Sequence, residues 1–364
     1  MSAHGPMPRS AWIFPALGAL LFATATALGF TFTPSVVGLL FAAVLLVILF
    51  GTVFAAVHHA EVIAERIGEP YGTLLLTLSV TIIEVALIAT IMLGEKPVPT
   101  LARDTVFAVV MIVCNGLVGI CIMAGGLRYR EQDVQVSGSS LYLSVLVVLA
   151  TITLILPNYT LTSPGPVYSA GQLGFVSVVT LILYAVFLYT QTIRHRDYFV
   201  GKSGFANDSG LTSGRMLGLN LLLLVLSLAV VVLLAKKFSL VIDFASASIG
   251  APPAFAGVVV ALLILLPESV AAVAAAHKND LQKSINLALG SSLATIGLTI
   301  PAVAVAAYVL DKQLVLGVDA QGMVLLVMTF VVSMLTFGTG RTNILFGLVH
   351  LVVFAVFLFM VFVP

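Results

Sequence analysis

The chain has 364 residues, of which 60% are hydrophobic and 9% charged, with a formal net charge of +1. A soluble domain carries about a quarter charged residues, so this composition belongs to a protein dissolved in lipid. The near-neutral balance excludes a nucleic-acid partner, because phosphate binding needs a basic surface.

In chain order, apolar stretches of spanning length run over 11–30, 36–57, 73–94, 104–127, 139–156, 172–193, 216–235, 254–276, 283–307, 321–336 and 343–362. They predict an all-α polytopic membrane protein with about eleven transmembrane helices. The first stretch follows Arg9 and could be taken for a signal peptide. It is longer than such a core and long enough to span, so it is read as a retained helix. The amphipathic segment HHAEVIAERIGEPYG (58–72) is read as a helical extension at the membrane surface. SLVIDFASASIGAPPAF (239–255) is its expected counterpart in the second half. Cys114 and Cys121 lie two turns apart on one helical face, too far for a disulfide, and read as small core residues.

With the N-terminus inside, the outer loops carry only Lys96, Arg103, Lys236, Lys237 and Lys312, and every other Lys and Arg falls in an inner loop. This is the positive-inside distribution, and it predicts a cytoplasmic N-terminus. The polar stretch 194–215 divides the chain into spans 2–6 and spans 7–11. Five is an odd number, so two five-span units in series have opposite topology, a plan common among secondary transporters. The expected organisation is an extra N-terminal helix (1–35), a first five-helix repeat (36–193), a cytoplasmic linker (194–215) and a second, inverted repeat (216–364).

Two carboxylates stand near the centres of spans. Glu84 lies in the third and Glu268 in the eighth, each the second span of its repeat. A carboxylate at that depth costs about 2.5–3.5 kcal/mol on insertion scales, so the equivalent placement points to a cation site shared by the halves. Pro267, beside Glu268, lacks an N–H and loosens the helix near Leu263 and Ile264. A carbonyl released there is tolerated in lipid only if a neighbour, a water or an ion satisfies it. Carboxylate with carbonyl oxygen is a donor set suited to Ca²⁺ or Na⁺. The spans following the glutamates add candidate neutral ligands: Asn115 in the fourth, and Ser291, Ser292 and Thr295 in the ninth. The hydroxyls could equally join helices to one another.

These stretches resemble the cation/proton exchanger branch of the calcium/cation antiporter superfamily, and most of all the bacterial calcium/proton antiporters of the ChaA type. The resemblance is carried by AEVIAERIGEPYGTLLLTLSVTIIE (60–84), NGLVGICIMAGGLRYREQDVQ (115–135), LYAVFLYTQTIRHR (183–196), PESVAAVAAAHKNDLQKSINLALGSSLATIGLTIPA (267–302) and GRTNILFGLVHLVVFAVF (340–357). It implies an eleven-helix fold with two inverted repeats and one essential glutamate per repeat, at Glu84 and Glu268. The match departs from the family pattern at several positions. Asparagines that often precede the glutamates by three residues are replaced by Thr81 and Leu265. A histidine often following the second glutamate is Ser269, and a common glutamine is Ala294. The segment 194–215 is basic where many relatives are acidic. Thr81 joins the site candidates because it occupies the asparagine position.

The function expected is a secondary antiporter, not an enzyme, exchanging Ca²⁺ for protons. Two carboxylates in a low-dielectric cavity resist being ionised together, and either a divalent cation or protons relieves them. The alternative keeps the fold and exchanges Na⁺ or K⁺ for protons. A channel fits a midplane carboxylate pair less well than an occluded site does. No nucleotide-binding motif is present, and HHAEVIAE lacks the spacing of a zinc protease. His277 and His350 read as lone residues. No resident cofactor is expected. The expected partners are the bilayer, the transported cation and protons, and a second copy in a homo-oligomer. The expected location is a bacterial inner membrane.

Overall fold

The computed structural model describes residues 8–30, 32–33, 35–68, 70–93, 98–199 and 214–363. Lys96, Lys202 and most of the proposed linker (200–213) lie outside the described residues. Among those described, eleven helices are long and apolar enough to cross a membrane. They are α1 (Ser10–Ala27), α2 (Val36–Ile67), α3 (Tyr71–Met92), α4 (Leu101–Tyr129), α5 (Val136–Tyr159), α6 (Ala170–Arg194), α7 (Gly214–Ile249), α8 (Ala254–His277), α9 (Leu281–Val309), α10 (Ala320–Gly338) and α11 (Ile344–Phe362). The fold is the all-helical one expected, with an integral, multi-pass character. Exposed apolar side chains such as Phe175, Ile182 and Val186 on α6 are those of a lipid-facing surface.

Polar caps mark several of the helix starts. Ser35 accepts from Gly38 N at 3.2 Å, Asp280 from Lys283 N at 3.2 Å, and Asp319 from Gly322 N at 2.7 Å. Ser169 and Gln172 form a reciprocal capping box at α6. Two helices are longer than their apolar spans predicted. α2 runs 32 residues without a break through His58 and Glu65, to Gly68 at φ 76°. α7 runs 36 residues, so Lys236, Lys237 and Asp243 lie within a continuous helix and not in a loop. The reason is local: nothing in 236–249 breaks a helix, and the breakers Gly250, Pro252 and Pro253 come only after it. The surface extensions are thus continuations of the first helix of each expected repeat.

The helices pack into two compact units, each drawing on both halves of the sequence. The first contains α1, α2, α3 and α7. Here α2 and α7 lie along each other, and α1 and α3 each pack against both. Buried His59 of α2 ties this unit together. Its Nδ1 is 2.8 Å from Asn220 Oδ1 of α7, and its Nε2 is 3.0 Å from the Ala11 carbonyl of α1.

The second unit contains α4–α6 and α8–α11. α4 and α9 are the most interior spans of the protein. Both are interrupted mid-course by a π-helical turn, Ile112–Leu117 in α4 and Thr295–Thr299 in α9. They are the third helices of the two expected repeats, so the irregularity recurs at equivalent places. Two short strands, β1 (Glu131–Asp133) and β2 (Arg341–Asn343), pair antiparallel with Gln132 opposite Thr342. They join the end of α4 to the start of α11. Nothing in the sequence announced them, since three residues are too few for a period-two pattern.

Candidate cation site

α3, in the first unit, presents Thr81 and Glu84 three residues apart on one face, both buried. Thr81 Oγ1 donates to the Thr77 carbonyl at 2.9 Å, as a threonine within an apolar helix ordinarily does. α3 packs against α2 and α7.

The other candidates belong to the second unit. α8 carries Glu268, half-buried, after the buried Pro267. The helix continues through the proline, so the carbonyl of Leu263 lacks its helical donor. α8 lies against α4, including its π turn, and against α9. The α8–α4 approach is close because Gly257 has no side chain there: a Cβ would stand 2.7 Å from Thr105 N. Ser284 of α9 donates to the Ala272 carbonyl of α8 at 2.7 Å, fixing the fold-back between the two helices.

Asn115 sits in the π turn of α4, fully buried, where Nδ2 donates to Thr329 Oγ1 at 2.8 Å. On α9, Ser291 is half-buried, while Ser292 and Thr295 are buried. The Ser292 hydroxyl makes no hydrogen bond. A buried hydroxyl in that state costs free energy unless something else satisfies it. Thr295 opens the π turn of α9. Glu268, Asn115, Ser292 and Thr295 therefore lie on three helices packed against one another. π turns inside α-helices are frequent at functional sites, because they turn side chains and carbonyls out of the regular ladder.

Two other charged side chains within helices are held by local contacts. Asp104, in the first turn of α4, is held by Arg103 at 2.7 Å and by the Thr100 hydroxyl at 2.7 Å. It lines a cavity of about 290 Å³ at the starts of α4, α8 and α10. Lys237 donates to the Phe30 carbonyl at 2.8 Å. Among the described residues no group of three or more His, Cys, Asp or Glu side chains is placed to hold a metal. A cation bound here would need amide, hydroxyl and carbonyl oxygens beside carboxylate.

His350, dismissed in the sequence as isolated, lies against Asn115, with Nδ1 3.4 Å from Asn115 Oδ1. The two are 235 positions apart. The only sequence signal was a histidine within an apolar span.

Eleven spanning helices, two mid-span glutamates and paired π turns define a polytopic membrane protein of the ion-transporter kind. The family description "sodium/calcium exchanger protein" matches residues 35–193 and 219–363, and the chain belongs to that family, within the calcium/cation antiporter superfamily. The y4hA protein of Sinorhizobium fredii, which bears the name of an ionic transporter, is 45% identical over 366 residues, covering 100% of this chain and 98% of its own. The sodium-potassium/proton antiporter ChaA of Escherichia coli is 38% identical over 314 residues, 85% of each chain. Among solved structures, native YfkE superposes with a TM-score of 0.74 at 18% identity, covering 97% of this chain and 100% of its own. The H⁺/Ca²⁺ exchanger CAX gives 0.68 at 14% identity, covering 96% and 89%. At those identities the likeness to the solved structures is one of fold.

Proposed function

We propose that this protein is a proton-coupled cation antiporter whose transport site uses Glu84 and Glu268, and that it carries Ca²⁺. The observation that carries the reading is the recurrence of one design in both halves: a mid-span glutamate helix followed by an interior helix with a π turn. The family membership supports exchange as the activity. Asn115, Ser291, Ser292, Thr295 and Thr81 are assigned as neutral ligands or supports of the site.

The mechanism follows from charge. A cation and protons are alternative ways to neutralise the same two glutamates. Neutralised either way, the site can close and turn to the other side of the membrane; doubly ionised and empty, it resists closure. Exchange results, driven by the ion gradients alone. The Asn115 and Ser292 oxygens and the carbonyl of Leu263 are neutral, so they tune affinity without altering the charge balance.

A second reading, Na⁺ or K⁺ in exchange for protons, is favoured by the name of the Escherichia coli relative. The N-terminus is assigned to the cytoplasm from the distribution of Lys and Arg, and the membrane to a bacterial inner membrane from the bacterial relatives. The test is proton flux in sealed vesicles of purified protein, driven separately by Ca²⁺, Na⁺ and K⁺ gradients. Saturable proton flux with Ca²⁺ is expected. Flux with Na⁺ or K⁺ but none with Ca²⁺ establishes the second reading, and none with any cation refutes both.

A further inference from the structure

We infer that His350 is a positioning residue for cation binding, holding the π turn of α4 in the register that presents Asn115. The inference rests on the reading of Asn115 as part of the ion site. His350 is fully buried in the middle of α11. Its Nε2 lies 3.0 Å from Thr336 Oγ1 of α10 and its Nδ1 3.4 Å from Asn115 Oδ1. With Nε2 facing Thr336, the nitrogen that reaches α4 is Nδ1. The Asn115 Oδ1 that it faces only accepts, so Nδ1 carries the proton and Nε2 accepts from the Thr336 hydroxyl.

That tautomer and the Thr329 hydroxyl together hold the amide of Asn115 in one orientation. Its Oδ1 faces the Nδ1–H of His350 while its Nδ2 donates to Thr329 Oγ1 at 2.8 Å. Turned over, the amide would set its NH₂ against the imidazole N–H. Thr329 and Thr336 are seven residues apart on α10, two turns along one buried face.

In the π turn the Val118 N–H bonds the carbonyls of Val113 and Asn115, so the backbone around Asn115 departs from the regular ladder, and its side chain is held from α10 and α11. Phe337 stacks beside the His350 ring, with centroids 6.4 Å apart and planes at 28°, and limits its rotation. Two helices without a mid-span glutamate, α10 and α11, thus set the geometry of a proposed ligand on α4.

The experiment compares three variants of the full chain in vesicles, reading KM and kcat for whichever of Ca²⁺ or Na⁺ the wild type exchanges. His350→Asn keeps a donor near the position of Nδ1. His350→Gln keeps a polar group near Nε2, and His350→Leu keeps neither. A buried hydrogen bond left unmade weakens binding roughly ten-fold or more, so Leu and Gln are expected to raise KM by about that factor, with a smaller change in kcat. Asn is expected to stay within about three-fold of wild type. An unchanged KM in His350→Leu, or equal shifts in Asn and Gln, overturns the proposal. If His350→Leu does not fold, the Asn and Gln pair decides alone. Asn115→Ala is measured beside them. A normal KM there removes Asn115 from the site and this inference with it. A raised KM there beside a normal one in His350→Leu removes only the histidine.

Discussion

Gly257→Ala tests the packing that holds α8, and Glu268 with it, against α4. A Cβ at this position would stand 2.7 Å from the Asp104 carbonyl carbon and 2.7 Å from Thr105 N, whereas ordinary contact begins at 3.4 Å. Both opposing atoms are backbone and have no rotamer to move into. The helices must part by the difference, about 0.7 Å, and such overpacking costs about 1–3 kcal/mol. Alanine recovers up to about 1 kcal/mol of helix propensity, which leaves a net loss. Gly290→Ala on α9 is the matched control. Its nearest neighbour would be Tyr142 Oη at 3.6 Å, an ordinary contact, so only the propensity gain remains. Thermal unfolding of the purified protein in detergent should show Gly257→Ala less stable than wild type and Gly290→Ala equal or better. Cation affinity should fall in the first and not in the second, because α8 and α4 carry Glu268 and Asn115. A Gly257→Ala protein as stable as wild type would refute the close-packing argument.

Three further outcomes are expected. Glu84→Gln and Glu268→Gln should each abolish cation-driven proton flux in protein that remains monodisperse, because glutamine keeps the size and loses the titrating proton; near-normal flux removes that glutamate from the site. Ser292→Ala should alter cation affinity while leaving proton coupling intact, and an unchanged affinity takes the hydroxyl out of the ligand set. His59→Ala leaves Asn220 Oδ1 and the Ala11 carbonyl without their buried partner, which should cost about 1–3 kcal/mol and appear as a lower unfolding temperature, whereas wild-type stability would show that the contact contributes nothing.

Much of this was legible in the sequence because a bilayer restricts what a chain can do. Apolar runs of spanning length mark helices, and a glutamate in the middle of one is too costly to be incidental. Span edges came within a few residues wherever a Gly, Pro or polar cap stood near the boundary. They failed at α7, where Lys236 and Lys237 look like a loop but lie along a helix that no breaker interrupts. The π turns left no trace, since a shift from i→i+4 to i→i+5 bonding has no composition of its own. Asn115 was visible as a costly polar residue, but its setting was not. His350 and Thr329 reach it from helices more than 200 residues along the chain, with Thr336 behind His350, and spacing rules see only neighbours on one helix. His59 was hidden in the same way, its partners lying on α1 and α7.

The central claim is that protons and the cation occupy the same glutamates, and proton release on cation binding measures it most directly. Binding is followed by isothermal titration in buffers of different ionisation enthalpy, from about pH 6 to about pH 9, for wild type and for the two glutamine variants. Because a proton must leave before the cation can bind, apparent cation affinity should rise with pH. Protons should be released at the lower end of the range, and the release should shrink in Glu84→Gln and in Glu268→Gln. Cation binding with flat affinity and no proton release across that range would contradict the shared site and the exchange mechanism built on it.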